Sequence, residues 1–439
     1  MHVDKSWIMG LAIALNAASC DSDESNQSNT AALAETGPGQ TIDSDESNQS
    51  NTAALAETGP GQTIDLLTYW VSPGQAERVQ RLIDLHRSTY PDDEIINDAR
   101  ASTNWDALLA ERIAAGNTPN LYVQQSADVA GFLQKNGADS LQSLDDFLAL
   151  PSQATVVLNL ASELVAELTV DGKMYGLPAG WVSRANALFY NKHVFRANQL
   201  NPPTTVDEFL TVCQKFKAVG QSCVTTTFMT LLFEGLLAGV MGIDAYDSYR
   251  RGGSPDETAL RKGIDVFAEV IDNYLDPAAF RPVDGTLDAE VEALMSGQAA
   301  MYTIVDVVKS SLQQLGWTAG VDFGVTAAPG NAGLFVYAAD VFTIPTGASH
   351  LEGALGFLAT STSTEGQLAL LGTDSTPARM DIELAQPDSE EQGIITDWRQ
   401  AQHRLAANTK FVWEGPLQAF VHSTPHDKEA LLQVLLTVY

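Results

Sequence analysis

The segment from residue 64 to residue 123 alternates between strand and helix patterns, and this alternation constrains the fold more than any other feature. An apolar run from Ile64 to Val71 predicts a strand that ends at the breaker Ser72-Pro73-Gly74. The alternation continues as helix, strand, helix, strand over 79–90, 94–96, 105–113 and 120–123. It predicts an α/β fold with a mainly parallel sheet, in which ligands bind at the carboxyl ends of the strands.

A second change of pattern predicts a crossover between two lobes. A turn at Asp171-Gly172-Lys173 leads through 175–178 to Trp181, and a new apolar strand follows over 185–190. The 374 residues from Leu66 to Tyr439 are enough for two lobes with separate cores.

The N-terminus has the pattern of an export signal. Lys5 precedes a short apolar run, and small residues lead directly into Cys20. The run is about half the length that a membrane-spanning helix needs. We therefore predict a signal peptide over 1–19. Small residues before a cysteine resemble the lipobox of bacterial lipoproteins, which implies lipidation of Cys20. Ala17 stands where lipoboxes usually have leucine, so cleavage without lipid is the alternative.

A perfect tandem repeat follows Cys20. The 22 residues 22–43 recur as 44–65 without a basic residue and almost without large apolar ones. Such a segment cannot bury a core, so 20–65 is predicted to be an acidic, lipid-anchored linker. As a flexible coil it spans roughly 40 Å.

The net charge restricts the class of partner. It is −31, and nine acidic residues without a base lie between Asp21 and Asp65, which leaves −22 on the rest. A balance this acidic argues against nucleic acid or an anionic substrate as partner. It does not restrict neutral ligands.

The cysteines and histidines predict no metal site. Cys213 and Cys223 lie close together in a chain expected in an oxidising compartment, so a structural disulfide is predicted. The nearest pair of histidines, His422 and His426, surrounds a helix start and is not expected to bind metal. We expect no cofactor.

Six further segments resemble one family, the extracellular solute-binding proteins of ABC sugar importers, and within it the hexose-binding members. Each is a weak signal alone, but together they follow the family order at about the family spacing. They are Tyr69-Trp70-Val71-Ser72, the segment from Gly176 to Lys192, Pro202 to Phe209, Gly297 to Asp306, Asp322 to Gly330, and Ser375-Thr376-Pro377-Ala378-Arg379.

The resemblance implies a type II periplasmic-binding-protein fold, with two α/β lobes and several hinge crossovers. It implies lobe I over 66–178 and 333–372, and lobe II over 179–332 and 373–439. A monomer of this kind captures a small carbohydrate in the cleft between its lobes and delivers it to an ABC permease in the inner membrane. The expected location is periplasmic or extracytoplasmic, anchored to a membrane.

The resemblance also implies a set of ligand-binding residues. Trp70 ends a strand at a breaker and is expected to stack on the sugar, and Asp306 is expected to accept a hydroxyl hydrogen bond. Arg184 fits a structural role at the crossover equally well. Gln124 and Gln125 point to opposite faces of their strand, so only one of them is expected to face the cleft. The full set is Trp70, Ser72, Gln75, Gln124 and Gln125 from lobe I, and Trp181, Arg184, Asp306, Trp413 and Glu414 from lobe II.

Three departures from the hexose-binding pattern concern the sugar. Thr227-Phe228 and Leu287 replace two expected aromatic positions, and Thr373-Asp374 stands where a basic residue often precedes Ser375. We therefore expect a monosaccharide or small glycoside that need not be glucose.

No constellation of catalytic residues is visible. The chain has no G-x-S-x-G elbow, no phosphate-binding loop and no H-E-x-x-H motif. An enzyme is therefore not expected. The alternatives are a binding protein of the same fold for another solute, such as a polyamine, and a partner of a chemoreceptor or sensor kinase.

Overall fold

A computed structural model describes residues 61–71, 73–100, 105–280, 288–371, 376–407 and 413–439. The signal segment, Cys20, the first repeat copy and Ser72 lie outside these residues. The strands are β1 Thr63–Thr68, β2 Glu94–Ala99, β3 Leu121–Gln125, β4 Thr169–Val170, β5 Lys173–Met174, β6 Leu177–Arg184, β7 Ala187–Asn191, β8 Ser222–Thr226, β9 Ala299–Ile304, β10 Phe323–Ala327, β11 Leu334–Thr343, β12 Thr376–Pro377 and β13 His403–Ala406.

Helices cover both sheets. They are α1 Pro73–Thr89, α2 Trp105–Ala114, α3 Val129–Asn136, α4 Asp145–Leu148, α5 Ser162–Leu168, α6 Lys192–Ala197, α7 Val206–Ala218, α8 Met229–Met241, α9 Ile243–Arg250, α10 Glu257–Asn273, α11 Asp288–Ser296, α12 Val308–Gln314, α13 Leu351–Thr362, α14 Thr364–Leu371, α15 Ser389–Gln400, α16 Glu414–His422 and α17 Lys428–Leu435. Among the described residues, none of these helices is long and apolar enough to cross a membrane.

Lobe I is built on a seven-stranded sheet of order β12-β6-β11-β3-β1-β2, with β13 also paired to β11. β1 lies between β2 and β3 and is parallel to both, as the alternation of strands and helices predicted. β11 is antiparallel to β3 and β6. The apolar side chains of this sheet form one core with those of α1, α13 and α14.

Lobe II is built on a four-stranded sheet of order β10-β7-β9-β8. β8 and β9 are parallel, whereas β7 is antiparallel to β9 and β10. This sheet has its own core, to which α8, α10, α16 and α17 contribute. The chain crosses between the lobes after β6, after β10 and after β13, so the predicted α/β fold with several crossovers is confirmed.

The predicted lobe boundaries are wrong in two places. All of β6 pairs with β11 in the sheet of lobe I, so Trp181 and Arg184 belong to lobe I rather than lobe II. The turn at 171–173 and the new apolar strand over 185–190 predict that the chain leaves lobe I between them. Instead the strand continues through Gly180, at φ 95°, and the pairing with β11 shifts register beside it.

The second wrong boundary is at residue 373. β12 and β13 both join the sheet of lobe I, and Ile394 and Trp398 of α15 lie in its core. Lobe II therefore resumes only with α16. A two-residue strand such as β12 has no detectable sequence pattern, which explains why the boundary was placed too early.

The end of the second repeat copy is part of the fold. β1 begins at Thr63, and Ile64 is fully buried. Asp65 forms an ion pair with Arg112, and the amide N–H of Gln62 donates to Asp93 Oδ1 over 2.8 Å. The linker predicted to reach residue 65 therefore ends before Thr63.

Removal of one repeat copy is expected to leave the fold unchanged. Deleting 22–43 keeps Gln62 to Asp65 and creates no new junction, because the two copies are identical. The free energy of unfolding should stay within about 0.5 kcal/mol of that of the full chain. Thermal unfolding followed by circular dichroism measures this, and a melting temperature lower by several degrees would show that the first copy contacts the lobes.

The predicted disulfide is confirmed. Cys213 of α7 is bonded to Cys223 of β8, and both residues are buried in the core of lobe II. The bond joins the helix to the strand that follows it, so it fixes the packing of α7 on the sheet.

Candidate functional site

The candidate site lies where strand ends of the two lobes meet. The amide N–H of Asp306, just after β9 of lobe II, donates to the carbonyl oxygen of Arg184 at the end of β6 in lobe I over 2.9 Å. The amide of Ala328, just after β10, donates to Asn186 O in the crossover that follows β6. These contacts bring the carboxyl ends of β9 and β10 to the crossover from lobe I, the place where α/β folds bind ligands.

A buried carboxylate organises the lobe I side of the site. Asp340 accepts hydrogen bonds from the Tyr69 hydroxyl, from Trp70 Nε1 over 2.8 Å, and from Gln125 Nε2. Gln125 Nε2 also lies 2.9 Å from the Tyr69 hydroxyl oxygen. One carboxylate thus fixes the residues that follow β1 and the last residue of β3.

Burial dominates the electrostatics of this cluster. It raises the pKa of Asp340 to about 6, although hydrogen bonds from Tyr69, Trp70 and Gln125 favour the ionised form. The pKa of Tyr69 lies well above its usual value, because burial and the neighbouring Asp340 both disfavour a phenolate. Tyr69 therefore remains a hydrogen-bond donor at neutral pH.

Asp340 is a site residue that the sequence reasoning missed. It interrupts β11, a strand whose other residues are almost all apolar and buried. It also lies where the register between β11 and β6 shifts, between Ala339 and Val341. A single acid inside a buried apolar strand was the available signal, since burial of an unpaired charge is costly.

Two tryptophans lie beside this cluster. The rings of Trp70 and Trp181 are 5.3 Å apart between centroids, and Phe342 packs edge-on against Trp70 at 5.6 Å. The guanidinium of Arg78 lies 5.4 Å from the centre of the Trp181 ring. Trp70 has no exposed surface and Trp181 retains 8%. Trp70 therefore supports the wall of the site from within the core, and Trp181 is the more accessible ring.

The two adjacent glutamines take different directions. Gln124 Nε2 donates to Thr343 Oγ1 over 3.1 Å, whereas Gln125 joins the Asp340 cluster. The two side chains therefore have different partners, and both are buried. Gln75 is half-buried near the start of α1.

Asp306 supplies a carboxylate from lobe II. It is half-buried, and burial together with Glu391 raises its pKa to about 7. The backbone of Arg184 and the positive charges of Arg184 and Lys309 act in the opposite direction without offsetting burial. A carboxylate in this environment gains from a hydrogen-bond donor brought by a ligand.

Arg184 has a structural role in lobe I. Its Nη1 lies 2.7 Å from Asp397 Oδ2, and its guanidinium stacks over Phe335 at 4.5 Å from the ring centre. The side chain is 97% buried. These contacts support the structural alternative for this residue.

Trp413 and Glu414 are not part of the Asp340 cluster. Trp413 is buried in the lobe II core, edge-on to Phe233 at 5.6 Å and to Tyr439 at 5.9 Å. Glu414 accepts a hydrogen bond from Gln418 Nε2 over 2.8 Å within α16. Of this predicted pair, Trp413 therefore belongs to the core of lobe II, and Glu414 lies partly exposed at the start of α16.

The described part of the chain contains no group of three or more His, Cys, Asp or Glu residues arranged to hold a metal ion. The site combines carboxylates, an amide, a phenol and indole rings. This combination can pair with hydroxyl groups and pack against an apolar ring face.

Comparison with solved structures defines the class of fold as that of type II periplasmic binding proteins. A chitin oligosaccharide binding protein superposes with a TM-score of 0.69 at 20% identity, covering 87% of this chain and 98% of that one. The solute receptor AcbH, described as exclusive for β-D-galactopyranose, gives a TM-score of 0.69 at 15% identity, with 86% and 97% covered.

The chain belongs to the bacterial extracellular solute-binding proteins, whose family model matches residues 98–396. A relative in Pyrococcus horikoshii, an uncharacterized ABC transporter extracellular-binding protein, is 24% identical over 354 residues. That alignment covers 77% of this chain and 76% of the relative.

Proposed function

We propose that this protein is the extracytoplasmic solute-binding component of an ABC transporter, which captures a small carbohydrate between its lobes and delivers it to a membrane permease. The observation that carries the proposal is the cluster at the carboxyl ends of β1 and β3 in lobe I, where Asp340 holds Tyr69, Trp70 and Gln125 in place. Membership of the solute-binding family supports the transport role. The name of the Pyrococcus relative supports an ABC transporter as partner.

The chemistry of the site favours a sugar over other solutes. A sugar presents hydroxyl groups, which need donors and acceptors, and a weakly polar CH face, which packs on an indole ring. Trp181 retains 8% exposure and is the more accessible of the two indole rings, and Asp306 and Gln125 offer hydrogen-bonding groups from opposite lobes. The similar structures are a chitin oligosaccharide binding protein and a receptor exclusive for β-D-galactopyranose, so oligosaccharides and monosaccharides both belong among the candidates.

Capture follows from contacts to both lobes. Open and closed arrangements exchange by a hinge motion, and a sugar that touches Asp306 and Trp181 together binds the closed arrangement more tightly. The sugar therefore shifts the population toward closure by its difference in affinity for the two states. Lipidation of Cys20 and a tether over the repeats would keep the binding protein near its permease and raise its local concentration.

A melting-shift screen tests the proposal. We expect one chemical class, among monosaccharides, disaccharides, chitin oligosaccharides, polyols and polyamines, to raise the melting temperature of the full chain, and we expect that class to be a carbohydrate. Saturation at 100 times Kd should add about 2.7 kcal/mol to the free energy of unfolding. A shift with polyamines and none with any sugar would overturn the carbohydrate assignment.

A further inference from the structure

Helix α15 belongs structurally to both lobes. Its C-terminal half is part of lobe I, where Ile394 and Trp398 are buried in the core. The Trp398 ring lies edge-on to Phe335 at 5.1 Å and to Tyr337 at 5.5 Å between centroids. Both of those rings extend from β11, so this half of the helix is fixed to the large sheet.

The first turn of α15 is held by lobe II. Lys309 of α12 places its Nζ 2.5 Å from Glu391 Oε2 and 3.0 Å from Asp388 Oδ2. Gln313 Nε2 of the same helix donates to Asp388 Oδ2 over 3.1 Å. Lys309 and Glu391 are only 1% and 2% exposed, so this ion pair is shielded from water and salt.

A backbone contact reinforces the same joint. The amide N–H of Val325 in β10 donates to Glu390 Oε2 over 2.7 Å. The Val325 side chain packs against the cores of both lobes. Three acidic residues at the start of the helix, Asp388, Glu390 and Glu391, therefore contact two different elements of lobe II, α12 and β10.

The joint lies beside a covalent crossover. Asp397, two turns along α15, pairs with Arg184 at the end of β6, and Arg184 O accepts the amide of Asp306. Lys309 follows Asp306 by three residues. The start of α15 therefore lies near the crossover from β6 to β7 and near the end of β9. Groups this close to a crossover lie near the hinge axis, and such groups move least when the lobes rotate.

We propose that the first turn of α15 is a non-covalent pivot, whose contacts with lobe II persist in both the open and the closed arrangement. Opening that separated Lys309 from Glu391 would break both ion pairs of Lys309 and the hydrogen bond from Gln313 to Asp388, whereas rotation about the joint preserves all three contacts. Closure is then a rotation about α15. The opposite possibility is a latch that forms only on closure.

Amide hydrogen exchange at Val325 separates pivot from latch without any ligand. The measurement uses the full chain, ligand-free, with residue-level mass spectrometry or NMR. For a pivot, we expect the Val325 amide of the wild type to exchange about tenfold or more slowly than that of Glu390→Ala, which lacks the acceptor. Equal rates in the two proteins would overturn the proposal.

Two further variants tie the protection to the ion pair. Lys309→Met should accelerate exchange at Val325, because the helix start loses its main tie to lobe II. Arg261→Met is the matched control, since Arg261 pairs with Glu257 and Glu429 within lobe II and is exposed. It should leave the Val325 rate unchanged. If Lys309→Met does not fold, Glu390→Ala still decides the outcome. The inference rests on the proposed function only for the existence of lobe motion, and a failed sugar screen would not alter this result.

Discussion

Asp340→Ala is expected to lower the free energy of unfolding by about 3–5 kcal/mol, because it leaves three buried donors without their acceptor. The donors are the Tyr69 hydroxyl, Trp70 Nε1 and Gln125 Nε2. The same change should abolish the sugar-induced melting shift, since the residues after β1 and at the end of β3 lose their common anchor. Urea unfolding followed by circular dichroism measures the first effect, and the melting screen measures the second.

The matched control for this variant is Asp84→Ala. Asp84 is an exposed acid in the same lobe, and the acceptor of one hydrogen bond from Gln80. Its removal should change the free energy of unfolding by less than about 0.5 kcal/mol. If Asp340→Ala were as stable as Asp84→Ala, the Asp340 cluster could not be the organising feature of lobe I.

Asp306→Asn is expected to weaken sugar binding while stabilising the ligand-free protein above neutral pH. Burial raises the pKa of Asp306 from 3.8 to about 7, so the folded protein binds this proton more tightly than the unfolded chain does. Protonated Asp306 contributes favourably to the free energy of unfolding. This contribution is complete below about pH 4 and is lost as the pH rises through 7. Asparagine mimics the neutral acid and avoids the loss.

The measurement is a pair of unfolding curves between pH 4 and pH 8. The difference in stability between Asp306→Asn and the wild type should grow with pH by on the order of 1–2 kcal/mol. Asp340, with a pKa of about 6, adds a similar trend to both proteins and cancels in the comparison. Parallel curves would show that Asp306 is not desolvated, and unchanged sugar affinity would remove it from the site.

Local patterns predicted the first five elements of lobe I. The order β1, α1, β2, α2, β3 follows from apolar spacing and breakers, and the parallel pairing of β1 with β2 and β3 follows from that order. The bond between Cys213 and Cys223 was also predicted, because the two cysteines are only ten residues apart and the chain is expected to be exported.

Contacts between residues far apart in the chain could not be predicted from the sequence. β11 reaches Tyr69 across about 270 positions, so no local pattern could show that Asp340 would meet that hydroxyl. The breaker Ser72-Pro73-Gly74 predicted a strand up to Val71, whereas β1 ends at Thr68. No local pattern could show that Trp181 and Phe342 would cover the indole of Trp70. Trp413 packs against Phe233 and Tyr439 in the core of lobe II. Phe233 is far from Trp413 in the sequence, so no local pattern could show that this tryptophan would be buried.

Isothermal titration of the wild type with the sugar that gives the largest melting shift shows whether the cleft binds a carbohydrate. We predict one sugar per chain, with binding weakened at least tenfold, about 1.4 kcal/mol, in both Trp181→Ala and Asp306→Asn. These residues come from different lobes, so both losses together require a site between the lobes. Unchanged affinity in both variants, or no binding of any sugar by the wild type, would contradict capture of a carbohydrate in this cleft.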